Sequence, residues 1–172
     1  MTHTLKHLLA ICLALWLALP SASVAEPLAT PTGEVILEMG GAVSITNGDG
    51  VARFDLPLLD ALPQRETRTN TPWYDGVHVF SGPTFTDLLA AVGAEGSTLR
   101  VTAINDYAVE MPIAELTSHP VILATRLDGE EMSIRDKGPL FVIFPFDEAP
   151  ELVNELSFSR SVWQVRQIEV LP

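Results

Sequence analysis

Polar residues are missing from the run Leu8 to Leu19, which follows Lys6 and the histidines His3 and His7 and gives way to Ser23-Val24-Ala25. A short apolar stretch behind a basic start and before small residues predicts a secretory signal over residues 1–25. The run is too short for a comfortable membrane span. An uncleaved N-terminal anchor is the alternative, and no second apolar span follows. Residues 26–33 (Glu-Pro-Leu-Ala-Thr-Pro-Thr-Gly) carry no apolar face and predict a flexible leader. From residue 34 to 172 no linker, repeat or low-complexity tract interrupts the pattern, which predicts a single domain.

Within that domain short β-type runs dominate. Val35-Ile36-Leu37 and Val43-Ser44-Ile45 predict strands around Gly40-Gly41. Asn47-Gly48-Asp49-Gly50 predicts a hairpin turn, because its residues tolerate positive φ. Val51 to Leu56 is the returning strand and Pro57 to Leu62 a brief helical turn. Arg65 to Thr71 is polar yet rich in threonine, a strand that runs into a loop at Pro72-Trp73; Val77 to Phe80 is another strand. Thr84, with Asp87 three residues on, caps a helix from Phe85 to Val92 that ends at Gly93. Strands are expected at Leu99–Ile104, Tyr107–Met111, Val121–Leu127 and Glu131–Ile134, the last two joined by an Asp128-Gly129 turn. Pro112–Leu116 and Pro150–Leu156 are short helices. Leu140 to Phe144 is apolar on both faces and predicts a central strand, and Arg166–Val170 a closing one. Strands outnumber helices and the helices are short, so the class is α+β with mixed β-sheets.

Composition narrows the function classes. The 172 residues carry a formal charge of −12, and loss of Lys6 with the signal makes it −13 for the remaining 147 (172 less 25). Such a chain repels nucleic acid and anionic lipid headgroups, so neither is an expected partner, and no stable membrane insertion follows cleavage. The single cysteine, Cys12, lies in the signal, too early and behind too large a residue, Ile11, for a lipoprotein site. Packing alone must hold the mature chain.

No His/Cys/Asp cluster has metal spacing, no Gly-rich loop fits a phosphate, and no Gly-x-Ser-x-Gly elbow is present. His78 alternates with Val77 and Val79, which turns it from the core; His119 precedes Pro120. Neither has a nearby partner for nucleophilic catalysis. Trp73 and Trp163 sit in polar surroundings rich in arginine and threonine, as stacking residues or as ordinary core. Arg135 and Lys137 flank Gly138-Pro139, where glycine permits close backbone approach and proline fixes the turn. Recognition of a polar or anionic group is one reading of these cations. Surface pairing with Asp136 or Glu131 is the other.

Arg135-Asp136-Lys137-Gly138-Pro139-Leu140, followed by Ser159-Arg160-Ser161-Val162-Trp163-Gln164, resembles the end of the sulfite-oxidase-type molybdopterin-binding domain. There a Gly-Pro-Leu strand and a later Arg-Ser-Val segment enclose a pterin. Ala103-Ile104-Asn105-Asp106-Tyr107 resembles the mid-domain motif of small exported members, and the likeness spans roughly residues 34–170. It implies a fold of several mixed sheets and a pterin site built from Trp73, Asn105, Asp106, Tyr107, Arg135, Lys137, Gly138, Arg160, Ser161 and Trp163. A pterin ring needs an aromatic face, and its 2-amino-4-oxo edge offers two donors to a carboxylate such as Asp106. Asn105 supplies a donor and an acceptor. Alternatively, Asn105-Asp106 is a plain hairpin turn.

Two departures shape the expected function. Redox members hold molybdenum through a cysteine thiolate, and this mature chain has none. They also place a basic residue after Arg-Ser-Val, where Trp163 stands, so a phosphate partner is missing too. The resemblance therefore implies a periplasmic, non-catalytic protein that binds a reduced, phosphate-free pterin. Small regulators of this kind act on the periplasmic regions of membrane signalling proteins, including those that control cyclic-di-GMP. A molybdopterin-dependent oxidoreductase is the alternative, and a degenerate pocket filled by side chains is a third.

Overall fold

The computed structural model describes residues 27–172; the predicted signal with Cys12, and Glu26, lie outside them. In chain order the strands are β1 (Leu37–Gly41), β2 (Ala52–Phe54), β3 (Gln64–Thr71), β4 (Tyr74–Pro83), β5 (Thr98–Ala103) and β6 (Ala108–Pro112). Then come β7 (Ile122–Ala124), β8 (Arg126–Leu127), β9 (Glu130–Glu131), β10 (Phe141–Ile143) and β11 (Val165–Leu171). The helices are α1 (Leu56–Asp60), α2 (Phe85–Ala91), α3 (Ile113–Thr117) and α4 (Glu155–Arg160). The class is α+β, with several sheets and few, short helices. Among the described residues no helix is long and apolar enough to cross a membrane.

Clean alternation builds the largest sheet, ordered β2-β1-β11-β5-β6, with β1 and β11 parallel and the other pairs antiparallel. Leu37 and Met39 of β1 are fully buried while Glu38 between them is exposed. Leu99 and Val101 of β5 and Ile168 and Val170 of β11 follow the same rule. Gly41 has φ +81°, and a Cβ there would overlap the Val170 carbonyl of the neighbouring strand. Helix caps follow from sequence: the Asp55 carboxylate accepts Leu58 N at 3.0 Å to open α1, and Thr84 Oγ1 accepts Asp87 N at 3.1 Å to open α2.

The second sheet is ordered β3-β4-β8-β9. The pair β10-β7 is a two-stranded sheet of its own, so the run Leu140–Phe144 is not the central strand expected, and its apolar character has another reason. Val142 and Leu123 face the larger core, whereas Phe141, Ile143, Ile122 and Ala124 face a smaller one with Phe80 and Met132. Both faces of the pair are buried, so the run is apolar throughout.

Several boundaries differ from expectation. Val43–Ile45 is no strand: Ser44 N and Ile45 N bond Val92 O at 3.1 and 3.0 Å and so cap α2. Val121–Leu127 breaks at buried Thr125, whose N donates to Ser81 O at 2.8 Å, so β7 and β8 join different sheets. The helix expected at Pro150–Leu156 is a 3₁₀ turn at Pro150–Leu152. A new start at Asn154, whose side chain accepts Ser157 N at 3.0 Å, then opens α4. Ile134 belongs to a 3₁₀ turn, Ile134–Asp136, rather than to a strand. The leader is anchored: Thr32 N and Gly33 N each donate to Asp55 Oδ2 at 2.8 Å, and Leu28 packs on the core.

Candidate functional site

Pro72 and Trp73 form the two-residue connection between β3 and β4, where Thr71 faces Tyr74. Trp73 is half-buried, and its ring meets Phe141 at 5.3 Å, Phe158 at 6.1 Å and Trp163 at 6.0 Å, each edge to face. Trp163 reaches it from just before β11, held by a backbone bridge to Phe141, and stays 39% exposed. The two expected stacking residues, ninety positions apart, are thus neighbours. Edge-to-face packing leaves no parallel slot between the two rings.

Three hydrogen bonds of Gln164 tie two segments to this aromatic group. Its N donates to Lys137 O at 3.0 Å, its side chain donates to Ile134 O at 2.8 Å, and its carbonyl accepts Ile104 N at 2.9 Å. Tyr74 adds a fourth tie: its hydroxyl donates to Asp136 O at 2.9 Å, and Lys137 Nζ lies 4.3 Å above its ring. Burial, and then Asp136, pushes the Tyr74 pKa up, so the hydroxyl stays a donor.

Asn105, Asp106 and Tyr107 do make a hairpin turn between β5 and β6. Asp106 has φ +66°, Asn105 Oδ1 accepts Tyr107 N at 3.2 Å, and Ala103 N donates to Tyr107 O at 2.9 Å. The Asp106 carboxylate already has a cation, accepting Arg166 Nη2 at 2.5 Å, while Arg166 Nε donates to Ala103 O at 3.2 Å. Its side chain is nevertheless 81% exposed. Tyr107 is half-exposed and donates to Ser159 O at 3.3 Å.

Five of the expected site residues need correction or qualification. Gly138 is required by its own fold, since a Cβ there would overlap the Met132 carbonyl; close ligand approach is not the constraint. Arg160 ends α4 and is paired with Glu115, its side chain only 13% exposed. Ser161 is buried and donates to Ser157 O at 3.0 Å. Both are engaged in holding α4. Lys137 lies over Tyr74 instead of pairing with Asp136 or Glu131, while Arg135 is exposed and makes no ion pair among the described residues.

His78 differs from expectation in two ways. It lies opposite Thr69, on the face that carries buried Phe80, and it has a carboxylate partner. Its Nδ1 is 2.7 Å from Asp128 Oδ2 and its Nε2 is 3.1 Å from Asp75 O. Two acceptors favour the doubly protonated ring, and the hydrogen bond that it donates to Asp128 raises its pKa. Both nitrogens are engaged, so neither is free to act as a base. Among the described residues no three His, Cys, Asp or Glu side chains are grouped to hold a metal.

A cleft of about 300 Å³ opens elsewhere, with Ile36, Leu56, Pro57, Met132 and Pro139 as its apolar lining and Glu34 and Glu131 among its acids. None of the expected site residues lines it; Gly138 is merely next to Pro139. Sequence reasoning missed Gln164, Tyr74, Phe158 and Arg166. Only Tyr74, beside Trp73, and Gln164, beside Trp163, carried a local signal. The chain matches no known family model and no curated protein.

Proposed function

We propose that this chain is an exported, non-catalytic pterin-binding protein of the sulfite-oxidase-type fold that reports its ligand state to a membrane signalling partner. One observation carries the reading: Trp163, 39% exposed and 6.0 Å from Trp73, lies where the turns at Ile134–Lys137 and Asn105–Tyr107 meet through Gln164. A flat heterocycle stacked on that indole has the Asp106–Arg166 pair within the same group of loops. The pair offers an acceptor for the 2-amino edge and a donor for the 4-oxo group. Arg135 and Lys137 add positive potential on a strongly acidic chain.

The residues do not fit a molybdenum cofactor. The only cysteine of the chain is Cys12, in the predicted signal, so the mature chain has no thiolate to bind the metal. A pterin alone asks for nothing the chain lacks. Signalling follows only if the partner's periplasmic region prefers one ligand state, such as an altered surface at the Ile134–Lys137 turn. Control of cyclic-di-GMP is the expected output.

The test is native mass spectrometry of protein purified from the periplasm of a pterin-producing host, followed by titration with fresh tetrahydropterin. A small-pterin adduct, and saturable quenching lost in Trp163→Ala, is the expected result. A bare mass with no saturable quenching overturns the reading. An adduct of molybdenum-cofactor mass replaces it with an oxidoreductase.

A further inference from the structure

Strand β3 buries hydroxyls where a core strand would bury methyls. Thr67 and Thr69 are fully buried and Thr71 is 6% exposed, all on one face. Thr69 Oγ1 is used, accepting Asp147 N at 3.2 Å. The hydroxyls of Thr67 and Thr71, and Nε of Arg65 on the same face, are sealed from solvent with no hydrogen-bond partner. Valine has nearly the shape of threonine without the unpaired hydroxyl, so stability alone favours valine at both places.

The cover over this row is the loop that follows β10. Besides the Thr69 bond, Asp147 Oδ2 accepts Asn70 N at 3.2 Å, and Arg65 Nη2 meets both oxygens of Glu148 at 2.8 and 2.7 Å. The loop also carries Phe146, whose ring meets Phe158 at 5.4 Å, and Phe158 meets Trp73 at 6.1 Å. An aromatic series therefore leads from the cover to Trp73, immediately beyond Thr71.

We propose that Thr67, Thr69 and Thr71 are the polar floor of the ligand site, and that the Pro145–Ala149 loop is a lid that closes on it. This rests on the pterin reading and deepens it by assigning polar groups beyond the Asp106–Arg166 pair, for the remaining ring nitrogens and the ring's substituent. Alternate strand residues stand about 6.7 Å apart, so the three hydroxyls span about 13 Å. That suits a bicyclic ring with a short polar substituent, lying between hydroxyls and aromatic rings. The lid is held to the strand by one ion pair and two long bonds between side chain and backbone, ties that are individually weak at a surface, and Phe146, buried in the larger core, is the anchor about which it turns.

The experiment is calorimetric titration of the mature protein with tetrahydropterin, lumazine and guanine, in wild type, T67V/T71V and T67S/T71S, with thermal melts of each. T67V/T71V is expected to melt at or above the wild-type temperature and to lose affinity by about tenfold or more. T67S/T71S, which keeps both hydroxyls, is expected to bind. Unchanged affinity in a folded T67V/T71V overturns the floor, and failure of all three probes to bind wild type overturns both floor and pterin site. Binding of lumazine or guanine without tetrahydropterin removes the pterin reading and leaves the floor standing. Glu148→Gln loosens the lid and is expected to raise the association rate several-fold; an unchanged rate overturns the lid.

Discussion

The two main sheets bury chemically different faces. On β1, β5 and β11 the inward positions are Leu37, Met39, Leu99, Val101, Ile168 and Val170, all fully or almost fully buried. On β3 they are Thr67, Thr69 and Thr71. Both faces suit the pleat, because β-branched residues of either kind pack well on a strand. Only the first kind removes apolar surface from water without stranding a polar atom. The first sheet is built to hold the molecule together. The second gives up some of that for hydroxyls, and lies beside the aromatic group on which the functional proposal rests.

Replacing one inward residue from each sheet tests the contrast most strongly. Leu99→Ala is expected to cost about 2–5 kcal/mol in urea unfolding, the range for a leucine-sized deletion in a packed core. A cost below about 1 kcal/mol would show that the first sheet is not the main store of stability.

Asp55 and His78 extend the comparison to charge. Hydrogen bonds from the backbone, Gly33 first, hold the Asp55 pKa below its ordinary 3.8. Its contribution is therefore present above 3.8 and lost as pH falls through the lower folded value. Asp55→Asn is expected to melt below wild type at pH 6, with the gap narrowing toward pH 3. A gap that stays constant would mean that the ionised carboxylate is not the active form. His78 behaves oppositely: Asp128 raises its pKa above 6.5, so its contribution is full below 6.5 and fades as pH rises through the folded value. His78→Gln should lower the melting temperature at pH 5.5 and matter less at pH 8.5. A larger loss at pH 8.5 would mean that the neutral ring is the stabilising form.

The smallest effect is the most telling. Thr67→Val is expected to change stability by about 0 to 1 kcal/mol, in the stabilising direction, because it removes an unpaired buried hydroxyl. A clear destabilisation would show that the hydroxyl has a partner in solution, and the two sheets would then differ less than their residues suggest.

Much of the scaffold was legible because its signals are local. The alternation in β1 and β5, the Thr84 cap, the Asp128-Gly129 turn and the doubly apolar β10 each depend on a few neighbouring residues. Misreadings came where a distant group took over a backbone bond. Ser44 and Ile45 have strand-like composition but serve Val92, and Thr125 divides an apolar run because Ser81 lies beside it. The site shows the same division. Trp73, Trp163 and Asp106 could be named singly, but Arg166 as the partner of Asp106 and Gln164 as the link between two turns could not. Arg160 and Ser161, expected as ligand residues, are engaged with Glu115 and Ser157, partners that no local pattern names.

By itself the sequence determined the class, mixed sheets with short helices, since periodicity and capping act over one to four residues. It also determined the acidic charge and the absence of a cysteine outside the predicted signal. Tertiary structure decided which polar residues are left without partners. Whether Thr67 keeps a free hydroxyl, or Asp106 a free carboxylate, depends on groups up to 60 residues away that folding places within 3.5 Å or keeps apart. No local pattern records such pairings, because a hydrogen bond has a short reach in space and none along the chain.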